Sequence, residues 1–236
     1  MTLHPHELPS GYIFRVTRYA DVILRDSFPH HWHELTSVLT DFQIDFDKHI
    51  APGGGNRSKI AEQFDGALKD LGWAKQNMNI DTKINEQAVA SVKSHEIDMF
   101  KKGPNAKYPG IAVEMEWNNK DPFYDRDLSN FYALHRAGAL AVGIVVTRGP
   151  RLQIELRAWE AAMNVIRKAA RKKPTAKFGA STTHWLKLMS RVNIGGGGEC
   201  PLFLIGIEPE RVLNLNKAQK NYAAVSTLDD EEDDEN

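Results

Sequence analysis

The chain carries a single cysteine, Cys200, in 236 residues. That count excludes an intrachain disulfide framework and a cysteine-rich zinc module, and a reducing, cytoplasmic setting is the expectation. No uninterrupted apolar run approaches the roughly 18–20 residues needed to span a bilayer. The opening MTLHPHELPSGYIF lacks the basic, apolar and small-residue order of a signal peptide. Nucleotide-binding loops are missing too. GGGNRSK (Gly53 to Lys59) does not contain G-x-x-x-x-G-K-[ST], and IGGGGEC precedes a strand pattern where a dinucleotide fingerprint would join strand to helix. No internal repeat is visible.

Net charge is nearly absent as well, at −1, but it is unevenly spread. Seven acidic residues lie between Asp229 and Glu235, and outside that run 30 Lys and Arg face 24 Asp and Glu. The body is therefore basic, with a cluster at Arg167, Lys168, Arg171, Lys172 and Lys173. A basic surface suits a phosphate backbone, and a solvated helix face explains the same cluster. The acidic tail, about 216–236, is expected to be disordered. It either solubilises the chain or competes with nucleic acid for the basic surface.

What is present is enough apolar residue, 42%, for one sizeable core. PHHWHELTSVLTDFQ puts Trp32, Leu35, Val38 and Leu39 at helical spacing, and KIAEQFDGALKDLGW does the same for Ile60, Phe64, Ala67, Leu68 and Leu71 before a C-capping Gly72. The period then changes. HEIDMF alternates, with Glu96 and Asp98 opposite Ile97 and Met99; KKGPNAKYPG supplies a turn, and IAVEMEW alternates again, so an antiparallel pair is expected. An amphipathic RDLSNFYALHRAGA, an apolar ALAVGIVVT, a long basic helix over IELRAWEAAMNVIRKAARKK, a short helix in THWLKLMSRV and an apolar LFLIGI complete an α/β signature.

Alternation in IAVEMEW sends Ile111, Val113, Met115 and Trp117 to one face and Ala112, Glu114 and Glu116 to the other. Either that second face is wet, or two carboxylates about 7 Å apart share a task. Asp98, on the neighbouring strand, brings a third acid to the same region. Crowded carboxylates repel unless a cation sits between them. Hard ions such as Mg²⁺ take oxygen ligands, activate water and stabilise charge on a phosphoryl oxygen.

The pattern I-D-(15 residues)-E-x-E resembles the PD-(D/E)XK nuclease core in its E-x-E form, which is also similar to BamHI. PHHWHEL, EQFDGALKDLGW, HEIDMF…IAVEMEWNN and CPLFLIGIEP together resemble, in this order over about residues 28–209, the BglII/BstYI group of type II restriction endonucleases. The departure is Glu116, where that group carries Gln.

This resemblance implies a central mixed β-sheet flanked by helices. It implies a single domain over 1–215, helical to about residue 90 and with its nuclease core at about 91–209. Asp98, Glu114 and the main-chain carbonyl of Met115 would bind Mg²⁺, and Glu116 would orient or deprotonate the attacking water. Lys120, six residues after Glu114, is too far along to replace the usual lysine. Asn118, Asn119 and Lys120 match positions that approach bases, and suit adenine and guanine edges; a plain polar turn is the alternative. Ser181, Thr182, Thr183, His184, Arg191 and Asn193 resemble a second DNA-contacting segment. The implied enzyme is a homodimer cutting double-stranded DNA at a palindromic, GATC-centred site to leave 5′-phosphate ends, beside a protective DNA methyltransferase.

Two other readings stay open: a structure-selective repair or recombination nuclease, and a DNA-binding module that no longer cuts. His30, His31 and His33 read as part of a packed helix, with a metal site as the alternative. Cys200 reads as a core residue, with a catalytic thiol as the alternative.

Overall fold

Residues 8–52 and 58–215 are described by the structure, a computed structural model. The first seven residues, most of the GGGNRSK stretch and the acidic tail lie outside the described residues.

The run Gly110–Glu116 is buried at all seven positions, so both faces of its strand need cover. That cover comes from a six-stranded mixed sheet with helices on each side. In chain order the strands are β1 (Tyr12–Val16), β2 (Ile44–Asp45), β3 (Ala74–Gln76), β4 (Asn79–Ile84), β5 (Gln87–Lys93), β6 (Ile97–Lys101), β7 (Gly110–Glu116), β8 (Leu140–Arg148), β9 (Leu202–Ile207) and β10 (Val212–Leu213). The helices are α1 (Ala20–Val22), α2 (Pro29–Asp41), α3 (Lys59–Asp70), α4 (Phe123–Arg136), α5 (Pro150–Ala169) and α6 (Trp185–Asn193).

The main sheet runs β1-β9-β8-β7-β6-β3. Its centre, β7, β8 and β9, is parallel; β6 and β1 add on antiparallel. β2 and β10 form a small separate pair.

The alternation along β7 sorts the core. Ile111, Val113 and Met115 face Leu35 and Leu39 of α2, Ile60, Phe64 and Leu68 of α3, and Leu152 and Leu156 of α5. Ala112 faces Tyr124, Leu128 and Phe131 of α4 and Leu188 of α6. Local chemistry fixes these helices. Pro29 opens α2 where its missing N–H costs nothing. Ser58 caps α3 by accepting from the Ile60 N–H at 3.2 Å, and Gly72, at φ +85°, turns the chain away. A side chain at Gly143 of β8 would collide with the Phe131 ring, so glycine lets α4 lie close on the sheet.

The first ninety residues are less helical than expected. β1 and β3 join the main sheet, and β4–β5 form a hairpin of their own. The hairpin is exposed along almost its whole length, so no buried face imposes an alternation on NIDTKINEQAVASVK. Its turn places Asn85 and Glu86 both at positive φ, without the glycine that advertises such turns. A second correction concerns Ile97. It joins the α4 side of the core while Met99 joins the other; the β6–β3 register shifts at that point.

Candidate active site

The β6–β7 register pairs Met99 with Val113. One step outward, the Asp98 N–H points at Glu114 Oε1, 3.4 Å away. Glu114 and Glu116 are 2% and 1% exposed, which removes the wet-edge reading: α4 covers their face. A fourth acid, Asp127 of α4, is buried among them. Sequence reasoning missed it. Its signal was position, since Asp127 falls at i+3 from Tyr124 and i−4 from Phe131, inside the helix's apolar stripe.

Burial first, then the charges of Asp127, Asp98 and Glu116, hold the Glu114 carboxyl well above the usual carboxylate range. Burial and then Asp127 push Glu116 up to about 9, and burial raises Asp127 as well. Two cations moderate this repulsion. Arg126 Nη2 lies 2.7 Å from Asp127 and 3.8 Å from Glu116, with its guanidinium 4.5 Å from the centre of the Phe123 ring. Lys75 of β3 reaches Asp98 at 3.4 Å and Glu96 at 2.5 Å. The Glu116 main chain is held as well: Thr147 donates to its carbonyl at 2.7 Å, and Tyr124 donates to Thr147 at 2.7 Å.

Because Asp98 turns to Lys75, Glu114 to the Asp98 amide and Glu116 to Asn119, no three His, Cys, Asp or Glu groups among the described residues gather around one point. The donor set still suits a hard cation. It is all oxygen, mutually repelling, and includes one buried atom, Asp127 Oδ2, without a hydrogen-bond partner. Met115 pairs opposite Val146, with its side chain in the α2–α3 core.

Two segments nominated separately from the sequence form one rim beyond β7. Lys120 bridges Thr182, the Asp121 N–H donates to Ser181 at 3.0 Å, and the Thr183 N–H donates to the Asn119 carbonyl at 2.9 Å. Asn119, Lys120 and Ser181 are exposed, while Asn118 and Thr182 are half-buried. The Asn119 amide is already engaged, donating to Glu116 Oε2 at 2.7 Å.

Four expected surface contacts are placed differently. Thr183 and His184 are buried and support the rim from below; burial, then Arg148, lowers the His184 imidazole to about 4. Arg191 bonds Asp125 at 2.9 Å and approaches Asp121 at 3.5 Å. Asn193 is exposed, but it ends α6, roughly 13 Å along the axis from His184. The helical patterning of Leu188, Met189 and Val192 decided their neighbours, which a contiguous reading of STTHWLKLMSRVN overlooked.

The remaining candidates fall outside the site. His30 pairs with Glu34 at 2.9 Å and His31 with the Lys102 carbonyl at 2.7 Å, so the histidines do not converge. Cys200 is buried and its thiol is raised to about 12 by burial. Arg167, Lys168, Arg171, Lys172 and Lys173 are exposed. Among the described residues no helix is long and apolar enough to cross a membrane.

A mixed sheet flanked by helices, with clustered carboxylates at the end of its central strand beneath an amide- and hydroxyl-bearing rim, is a restriction-endonuclease-like fold. The family model described as restriction endonuclease BglII/BglIII matches residues 12–207, and the chain belongs to that family. It is thus a type II restriction endonuclease, a hydrolase of DNA phosphodiester bonds. No curated protein matches it.

Proposed function

We propose that this endonuclease is a Mg²⁺-dependent homodimer that cuts both strands of a short palindromic site, GATC-centred by family resemblance. The observation that supports this reading is the burial of Glu114 and Glu116 at the end of β7, where Asp98 and Asp127 repel them and Asn119 links Glu116 to the rim made by residues 118–121 and 181–183. Asp98, Glu114 and the Met115 carbonyl would hold the ion. Bound there, Mg²⁺ supplies a lowered water pKa and charge stabilisation at the phosphoryl oxygens.

The chain's own groups do the positioning. Glu116 retains its proton at neutral pH while its neighbours are acids. It becomes a general base only when positive charge arrives beside it, and Arg126 already lies at the edge of that position. Asn119 fixes the carboxyl's direction. Exposed Asn119, Lys120 and Ser181, with Thr182 beside them, face the substrate. Two-fold symmetry would match a palindrome with one centre per strand, and 5′-phosphate ends follow from attack by water with loss of the 3′-oxygen. Such an enzyme belongs in the cytoplasm beside a methyltransferase that protects host DNA.

Incubation with unmethylated plasmid and Mg²⁺ should give discrete fragments, abolished by EDTA. A smear, or preference for branched DNA, would point instead to a structure-selective nuclease.

A further inference from the structure

Arg148 ends β8 with its side chain wholly inside the protein. Removing a guanidinium from water is expensive, and an apolar side chain of similar volume is often as stable or better in such a place. Burial lowers this guanidinium to about 10, and its Nη1 has no hydrogen-bond partner. Packing alone therefore gives poor reason for arginine here.

Its bonds suggest a better one. Nη2 donates to the Thr183 carbonyl at 2.6 Å and to Thr182 Oγ1 at 2.7 Å, and Nε donates to the Thr183 carbonyl at 3.2 Å. The rings of Phe178 and Trp117, 5.1 and 5.9 Å from the guanidinium carbon, confine it. Thr183 in turn grips Asn119 twice: it accepts the Asn119 N–H on Oγ1 at 3.1 Å and donates its own N–H to the Asn119 carbonyl at 2.9 Å. Asn119 then donates its side-chain amide to Glu116 Oε2 at 2.7 Å. A continuous chain, Arg148–Thr183–Asn119–Glu116, runs from the sheet through the rim to a carboxylate of the active centre.

We propose that Arg148 is a positioning residue: through Thr183 and Asn119 it ties the seating of the rim on DNA to the orientation of Glu116. This rests on the reading that the rim meets DNA at a specific site. A rim displaced by a wrong sequence would pull Asn119, and with it Glu116, out of line, so discrimination would appear in the cleavage rate as well as in binding.

The test uses the full chain in Mg²⁺ under single-turnover conditions with folded enzyme in saturating excess, where the rate constant reports the chemistry; the folded fraction is measured separately by thermal unfolding. The wild type first maps its own sites on plasmid DNA, which tests the underlying reading separately. Duplexes carrying such a site, or the site with one base pair changed, are then cut by Arg148→Met, Thr183→Val and Thr183→Ser. The Met and Val variants should lose ten-fold or more in rate constant on the true site and narrow the ratio between the two duplexes. Thr183→Ser, which keeps the hydroxyl, should stay near wild type. The double variant Arg148→Met/Thr183→Val should lose no more than the larger single loss, because both changes break one chain. Wild-type rate constants and discrimination, with losses confined to Tm, would overturn the proposal; so would multiplicative losses. Should Arg148→Met fail to fold, Arg148→Lys, which keeps the charge and a single donor but loses the paired bonds to Thr182 and Thr183, takes its place. The same loss of rate constant and discrimination is expected, and wild-type values for both would overturn the proposal.

Discussion

Two buried charged regions of this molecule are built in opposite ways. Arg211, just after β9, donates to the carbonyls of Leu39, Thr40 and Phe42 at the end of α2 and lies against the Tyr12 ring. A cation belongs there, where a helix leaves carbonyls without partners. At the end of β7 the neighbours of each buried acid are largely other acids, and one oxygen has no partner. Buried charge with complementary partners holds a fold together. Buried charge of one sign awaits something from outside, on the proposed reading a metal ion and DNA.

The comparison breaks most plainly on two substitutions. Glu114→Ala should lower the cleavage rate constant by on the order of a thousand-fold or more while leaving DNA binding measured in Ca²⁺ largely intact; an active variant would sink the assigned centre. Arg211→Met should do the reverse. It leaves helix-end carbonyls unsatisfied, so urea unfolding should show a loss of about 2–4 kcal/mol, with the rate constant of the folded fraction unchanged. If Arg211→Met slowed the chemistry itself, the division between structural and functional charge would be wrong.

Titration separates the regions next. Glu116 has a folded pKa near 9 against an ordinary 4.5, so its protonated form is favoured by folding. Its contribution to stability is full below pH 4.5, declines as pH rises through that window, and is gone above about 9. His184, lowered to about 4, acts in the opposite sense, adding stability as pH rises from about 4 towards its ordinary 6.5. The Glu116 effect is therefore read as a difference. In EDTA, the Tm of Glu116→Gln relative to wild type should climb between pH 4.5 and 9, and Mg²⁺ should shrink that gap by favouring the ionised carboxylate. A difference that is flat with pH would mean the carboxyl is hydrated.

How far this arrangement was legible varied with how local its cause is. The two faces of β7, the β6–β7 pairing and the buried strands β8 and β9 follow from alternation and apolar runs within a few residues, and the sequence carries them plainly. The Glu114 and Glu116 side is set by the same alternation. Asp127 and Lys75 are different: nothing near them announces that α4 and β3 will deliver them to the acids, since only the tertiary packing does so. Thr183 and His184 looked like surface residues because hydroxyls and imidazoles usually are; Thr183 is instead held from inside by Arg148, thirty-five residues away. The exposed β4–β5 hairpin left no hydrophobic period to read.

The smallest expected effect concerns an exposed charge, and it sharpens the contrast with the buried ones. Lys120 is exposed, its backbone bridges Thr182, and among the described residues its ammonium forms no ion pair. Lys120→Ala should leave Tm and the rate constant at saturating enzyme unchanged and weaken DNA binding, by a few-fold if it meets a phosphate and by more if it meets a base. The pattern of that loss identifies its target. A phosphate contact weakens all duplexes alike and lowers the salt slope of log K by about 0.9. A guanine contact costs roughly 1–3 kcal/mol on the true site alone. Binding isotherms on true and altered duplexes at several salt concentrations distinguish the two. Unchanged affinity on every duplex would remove Lys120 from the rim's working surface and leave Asn119, Ser181 and Thr182 to face the DNA.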